Sequence, residues 1–208
     1  MNSDEHSGRP LVIGIAGPSC SGKSGLGREL CMLLADRNPA IFPMDAYYYD
    51  LSGIPSAEAD RRNFDDPQAL EWPLLEAHFQ ALLRGEAVEH PIYNYARHVR
   101  EPYGVRVGPA GVVIVEGLFA LLRESLRSHY DLAVYMEVDE QVSFLRRLER
   151  DARERGIERE YVEEQWRETV QPMAVEHVIP TRSRADLVLD GEAPLEQSAV
   201  RVLRFLGL

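Results

Sequence analysis

The stretch Gly17-Pro-Ser-Cys-Ser-Gly22-Lys23-Ser24 constrains this chain more than any other. It fits G-x-x-x-x-G-K-[ST], in which the glycines let successive backbone N–H groups curl around phosphate oxygens. It directly follows Leu11-Val-Ile-Gly-Ile-Ala16, a short apolar run rich in β-branched residues and stopped by Gly17-Pro18, which reads as a buried strand. From Lys23 onward Leu26, Leu30, Leu33 and Leu34 fall at i, i+4, i+7 and i+8, one face of a helix. The positive N-terminal end of that helix would face the same phosphates. Gly17, Ser19, Cys20, Ser21, Gly22, Lys23 and Ser24 are therefore the candidate nucleotide-binding residues. Lys23 would reach the β/γ-phosphates and the Ser24 hydroxyl would ligate Mg²⁺. A Gly/Ser turn that merely joins two elements is the plainer alternative. The strand before and the helix after favour the phosphate loop.

Three more short apolar runs follow, Val112-Val-Ile-Val115, Leu132-Ala-Val-Tyr-Met136 and Leu187-Val-Leu189, with a weaker one at Ala40-Ile-Phe42. Helical patterns lie between them: Leu74 to Leu83, then Val142, Leu145 and Leu148, then Leu195 to Leu206. Strands alternating with helices predict an α/β fold, a mostly parallel sheet covered on both faces. After a polar tail at 1–10, residues 11–208 read as a single domain. The stretch 47–108 is longer and more aromatic than a plain crossover requires, so an insertion is expected there. At 208 residues with 45% hydrophobic side chains the chain can bury a core without disulfides, and Cys20 and Cys31 make no disulfide framework or zinc pattern. Acidic side chains outnumber basic ones 34 to 23, for a net charge of −11, which argues against nonspecific binding to nucleic acid or anionic membrane. No apolar run approaches the roughly 20 residues of a membrane span, and Met1-Asn-Ser-Asp-Glu-His lacks the layout of a secretory signal. The expected setting is cytoplasmic.

A phosphate loop needs a second acidic group to help hold the metal, usually at the end of a neighbouring strand. Glu116, in Val115-Glu116-Gly117, fills that place better than a carboxylate facing water would. Asp45 ends the weaker strand and can accept the proton of an attacking hydroxyl, although a solvated turn Asp fits the spacing nearly as well. Asp50-Leu-Ser-Gly53 and Asn63-Phe-Asp-Asp66 match two GTPase strings. Neither follows an apolar strand, the second lacks Lys after Asn, and both precede the Glu116 strand, so a GTP-driven switch is rejected.

The ordered series of motifs resembles the uridine kinase (uridine–cytidine kinase) family from Leu11 to about Asp190. It comprises the Gly17–Ser24 loop, Asp45-Ala-Tyr-Tyr48, Asn63-Phe-Asp65, Pro91-Ile-Tyr-Asn-Tyr-Ala-Arg-His98-Val-Arg100 and Val115-Glu-Gly117. Beyond these come Arg146-Arg-Leu-Glu-Arg-Asp151, Glu154-Arg-Gly156, Gln165 and Pro180-Thr-Arg-Ser-Arg-Ala-Asp186. The resemblance implies a P-loop kinase fold with a nucleoside-binding insertion and an Arg-rich lid at about 146–160. It implies transfer of the γ-phosphate of ATP (or GTP), with Mg²⁺, to the 5′-hydroxyl of a pyrimidine ribonucleoside, by a homo-oligomer. Carried over, it makes Asp45 the base, assisted by Lys23, and gives Ser24 and Glu116 to the metal. Asp65, Arg147 and Gln165 would bind the ribose hydroxyls. Tyr48, Phe64, Tyr93 and Tyr95 would wall the pocket, and His98 would bond the base edge. Read without the resemblance, Tyr93 and Tyr95 alternate like a core strand face and His98 is a loop histidine.

Arg146, Arg150 and Arg153 share a helical face, with Arg147 beside them and Arg155 near the helix end. Such a cluster can neutralise a transferring phosphoryl group. Its i,i+4 pairs Glu149–Arg153 and Asp151–Arg155 also suit a solvated, salt-bridged helix. The resemblance favours function for Arg147, Arg150 and Arg155, and Arg146 and Arg153 stay with the solvated reading. It departs at Ile157, where the family commonly has Arg, at Asn94 for Asp and at Ala46 for Ser. A related kinase acting on phosphoribulose or pantothenate, and a nucleotide-binding regulator with little turnover, are the alternatives.

Overall fold

The computed structural model describes residues 9–59 and 61–208, so most of the polar tail lies outside the described residues. The first strand, β1 (Leu11–Ala16), runs into the glycine loop and then α1 (Lys23–Leu33). The weak apolar run forms β2 (Pro39–Pro43), followed by the tight turn Met44–Tyr47. Next come the one-turn α2 (Ser56–Ala59) and α3 (Trp72–Leu83), whose Pro73 stands in the first turn where its missing N–H costs nothing. An antiparallel hairpin of β3 (Val88–Asn94) and β4 (Val99–Val107) leads to β5 (Val112–Glu116). Then follow α4 (Glu124–Arg127), β6 (Leu132–Glu137) and α5 (Glu140–Arg150), capped by the Asp139 carboxylate accepting from Gln141 N and Val142 N. The helix continues as a π turn, Asp151–Arg155, and ends at Gly156, whose φ of 66° is left-handed. The rest comprises α6 (Arg159–Gln165), the short α7 (Gln171–Met173) with π turns on either side, β7 (Leu187–Asp190) and α8 (Leu195–Phe205).

The five-stranded sheet has the order β2-β5-β1-β6-β7, every pair parallel. Alternation within each strand feeds two cores, one on each face. Val12, Phe42, Val113, Val115 and Tyr135 join Leu75, Phe79 and Leu82 of α3. Ile13, Ile15, Ile114, Val134 and Met136 join Leu26 and Leu30 of α1 and Val202 of α8. The predicted P-loop α/β architecture forms, with the five strands of the sheet at the five apolar runs, while the hairpin strands β3 and β4 were not anticipated. The stretch 47–108 holds a loop region, the hairpin, and between them α3, which packs on the sheet like an ordinary crossover helix. Since β5 and β6 flank β1 on opposite sides, their carboxyl ends open a crevice beyond β1, the place where such sheets bind ligands.

Two details depart from the apolar periodicity. Leu33, expected on the buried face of α1, is half exposed at the helix end, where the chain leaves the sheet. Leu145 on α5 is 59% exposed, while Ser143 and Arg147 are buried. Helix α5 turns a polar stripe inward.

Candidate functional site

The loop from Gly17 to Ser24 lies at the carboxyl end of β1 and wraps the start of α1. Gly22 has φ of +96°, open to glycine at no cost, and Cys20 is held in the left-handed region at +55°. A Cβ at Gly17 would lie 2.4 Å from the Met136 carbonyl oxygen, so close packing on β6 requires glycine there too. Lys23 is buried, and its Nζ donates to Pro18 O at 2.6 Å and Ser21 Oγ at 3.5 Å. Burial pulls its pKa down, against the attraction of Glu116 and Asp45. Ser24 Oγ donates to Glu116 Oε1 at 2.9 Å. This hydroxyl–carboxylate pair offers hard oxygen donors of the type Mg²⁺ takes, with the remaining positions left to phosphates and water. No group of three or more His, Cys, Asp or Glu suited to a metal occurs among the described residues.

Asp45 stands on the turn after β2. Burial raises its pKa and the nearby Lys23 lowers it; Asp65 raises it further. Glu116 is raised too, by burial and then by Asp45. A carboxyl whose folded pKa is raised contributes stability below its unfolded pKa and loses it as pH rises through the folded value. At neutral pH, above the ordinary carboxylate range, each group therefore costs the free protein stability. Asp45→Asn and Glu116→Gln are each expected to raise Tm of the nucleotide-free protein at pH 7, by about 2–4 °C per kcal/mol recovered. The gain should vanish at pH 3, and thermal melts at both pH values check it.

Beyond Asp45 the cleft is aromatic. Phe64 stacks on His98 with centroids 4.7 Å apart and planes at 16°. Tyr48 meets Phe64 at 5.2 Å and Tyr93 at 5.5 Å, and Tyr93 meets Tyr95 at 5.4 Å. Tyr93 lines the cleft with its Oη buried and without a hydrogen-bond partner. Arg147 joins the remaining polar groups. Its Nη1 lies 3.5 Å from Asp65 Oδ1 and donates to Ser19 Oγ at 3.3 Å, and its Nη2 donates to Gln165 Oε1 at 3.5 Å. The Arg155 guanidinium sits 5.0 Å over the Tyr95 ring. One cleft of about 1010 Å³ takes in Ser19, Cys20, Gly22, Lys23 and Ser24 together with all of these aromatic and polar residues. Asp45, Glu116, Arg150 and Arg155 line it as well. Gly17 and the buried Ser21 shape the loop from behind.

A sequence profile of the phosphoribulokinase/uridine kinase family matches residues 12–194. The chain belongs to the phosphoribulokinase/uridine kinase family. A uridine kinase of Halobacterium salinarum is 42% identical over 179 residues, spanning 86% of this chain and 79% of that protein. One from Chloroflexus aggregans is 41% identical over 182 residues, spanning 88% and 87%. The solved structure of phosphoribulokinase from Rhodobacter spheroides shares the fold at 17% identity, with a TM-score of 0.65 over 90% of this chain and 74% of that one.

Within this family member, the helix reading of the basic run needs correction. Arg146 does not belong to a solvated face: its Nη1 donates to Gly191 O at 2.8 Å and Cys20 O at 3.3 Å, strapping α5 to the phosphate loop. Ser143 Oγ adds a 2.5 Å bond to Ser19 O. Arg153 does stay outside, paired with Glu149 and Glu154. The Asp151–Arg155 pair forms at 3.4 Å, but Asp151 is fully buried. Sequence reasoning passed over Ser143, placed Asp151 only in a solvated ion pair and gave Arg100 no role of its own. The signal available was the i, i+4, i+8 spacing of Ser143, Arg147 and Asp151, a polar stripe on an otherwise charged helix. Arg100 Nη1 donates to Glu71 Oε2 at 2.6 Å and its Nη2 to Tyr47 O at 2.9 Å, tying the hairpin to the Asp45 turn. The two GTPase strings serve as local turns: Asp50 accepts from Ser52 N and Arg100 N, and Asp66 from Gln68 N.

Proposed function

We propose that this kinase transfers the γ-phosphate of ATP (or GTP) to the 5′-hydroxyl of a pyrimidine ribonucleoside, uridine or cytidine. The observation that carries the reading is the single cleft that runs from Lys23 and the Ser24–Glu116 pair, past Asp45, to five contiguous rings. A planar, uncharged base suits aromatic walls with a few placed polar groups. The Asp65–Arg147–Gln165 set would hold the ribose hydroxyls. Asp45 would take the 5′-hydroxyl proton as its oxygen attacks. Lys23, Arg150 and Arg155 would stabilise charge on the transferring group, positioning and electrostatics being most of phosphoryl-transfer catalysis. Ser24 and Glu116 would hold a Mg²⁺ ion, whose contribution when bound would be neutralisation of phosphate charge. Among the described residues no helix is long and apolar enough to cross a membrane. A cytoplasmic homo-oligomer is the setting this reading expects.

The test is ADP release against uridine, cytidine, purine nucleosides, ribulose 5-phosphate and pantothenate. Release that depends on a pyrimidine nucleoside is expected. Faster turnover of ribulose 5-phosphate or pantothenate overturns the acceptor assignment, and acceptor-independent release overturns the kinase reading. Ile157 carries a sharper expectation. It lines the cleft beside Arg155 and offers no donor to a pyrimidine carbonyl. A hydrogen bond from a charged group is worth about 1.5–3 kcal/mol, or roughly ten- to a hundred-fold in affinity. Ile157→Arg is therefore expected to lower nucleoside KM by about ten-fold with kcat little changed, as measured by initial rates. A rise in KM would mean that the pocket is shaped for a different base.

A further inference from the structure

Asp151 is the one acid of the lid with no exposed surface, and it is surrounded by guanidinium groups. Arg147 Nε lies 3.3 Å from Oδ2, Arg150 Nη2 2.8 Å from Oδ1 and Arg155 Nη1 3.4 Å from Oδ1. Arg150 Nε also donates to Oδ1 at 2.9 Å. The three arginines then diverge. Arg147 turns to Ser19, Asp65 and Gln165, Arg155 covers Tyr95, and Arg150 lies within electrostatic reach of Asp45 and Cys20. All three line the cleft, whereas Asp151 does not. It is also the first residue of the π turn that succeeds α5, a helix irregularity frequent at functional sites.

We propose that Asp151 is the positioning residue of the lid, a buried carboxylate that sets the aim of Arg150 and Arg155 at the transferring phosphoryl group and of Arg147 at the acceptor. Three like charges packed together repel one another, and without a shared counter-charge each would relax toward solvent or toward the other carboxylates of the cleft. Asp151 supplies that counter-charge from behind, so that the three guanidinium groups keep their places along the cleft. It touches no ligand itself and acts only through the arginines. The proposal rests on the kinase reading above.

A double-variant cycle tests it, with kcat expressed per site that binds ADP in an equilibrium titration, so that misfolded protein is not counted. The unmodified chain is assayed first, with the whole acceptor panel. Absence of turnover there overturns the kinase reading, and this proposal with it. Given turnover, Asp151→Asn is expected to lower kcat by about ten-fold or more, since small misplacements of catalytic groups carry losses of up to about 10²-fold. Added to Arg150→Ala it should cost clearly less than it does alone, because the part of its effect that runs through Arg150 is already lost and residues acting through one another are not additive. Full multiplication of the two losses, or an unchanged Asp151→Asn, overturns the proposal while leaving the kinase reading intact. Glu149→Gln removes an exposed lid charge paired with Arg153 and should leave kcat unchanged; an equal fall there also overturns it. If Asp151→Asn yields no ADP-binding protein, Asp151→Glu keeps the charge and shifts it by one methylene. A kcat equal to that of the unmodified chain would then refute the positioning role, and a ten-fold fall would support it.

Discussion

Lys23→Ala is expected to reduce phosphoryl transfer by about 10³-fold or more, the upper range for removing one preorganised charge from a developing anionic transition state. Its Nζ is buried and already bonded to Pro18 O and Ser21 Oγ, so the ammonium stands inside the loop before any nucleotide arrives. Little reorganisation is needed when phosphates enter, which is why the loss should appear chiefly in the rate. The fold should survive, because burial disfavours the ammonium and lowers its pKa. The loop frame also persists through Gly17, Gly22 and the α5 bonds from Ser143 and Arg146. Steady-state ADP release and a nucleotide titration check both parts. Near-normal turnover with normal nucleotide affinity would refute the role assigned to Lys23.

Asp45→Asn is expected to lower kcat by about 10²-fold or more with a modest change in nucleoside KM. The amide keeps the shape and one acceptor oxygen but cannot hold the hydroxyl proton. Because burial raises the Asp45 pKa, with Lys23 opposing, the unmodified enzyme should lose activity on the acid side at a pH above the ordinary aspartate range. That acid limb should be missing from the pH profile of Asp45→Asn. A rise in KM alone would make Asp45 a binding group, and a loss of nucleotide–Mg²⁺ affinity would make it a metal ligand. The same substitution is expected to stabilise the free protein at neutral pH, so loss of activity with a higher Tm would mark a site that trades stability for charge.

Much of this was legible locally. The Gly17–Ser24 loop is read from glycine, lysine and serine at fixed spacing, and the strands from short apolar runs; all five sheet strands lie where the runs predict. Leu145 and Leu33 show where that reasoning stops. Apolar periodicity assigns the buried face of a helix by transfer free energy alone, and it assumes that the facing surface is apolar too. Helix α5 faces the cleft, so Ser143, Arg147 and Asp151 turn inward and Leu145 turns out. Arg146 was indistinguishable from Arg153 by spacing. One reaches Gly191 O and the other a pair of surface glutamates, a difference made by what lies across from each.

The sequence by itself determined the parallel sheet, the phosphate loop and the acidic strand end at Glu116, since each depends on interactions within a few residues: backbone freedom at glycine, strand alternation, helix periodicity. Only the tertiary structure decided that Asp45, the ring cluster and the lid arginines open onto one cleft, and that Asp151 stands behind those arginines. These groups come from the turn after β2, the loop that carries Phe64, the hairpin, α5 and the π turn that follows it, and they meet at the carboxyl ends of the sheet strands. Convergence of that kind is a property of the crossovers and of burial energetics summed over both faces, which no local window contains.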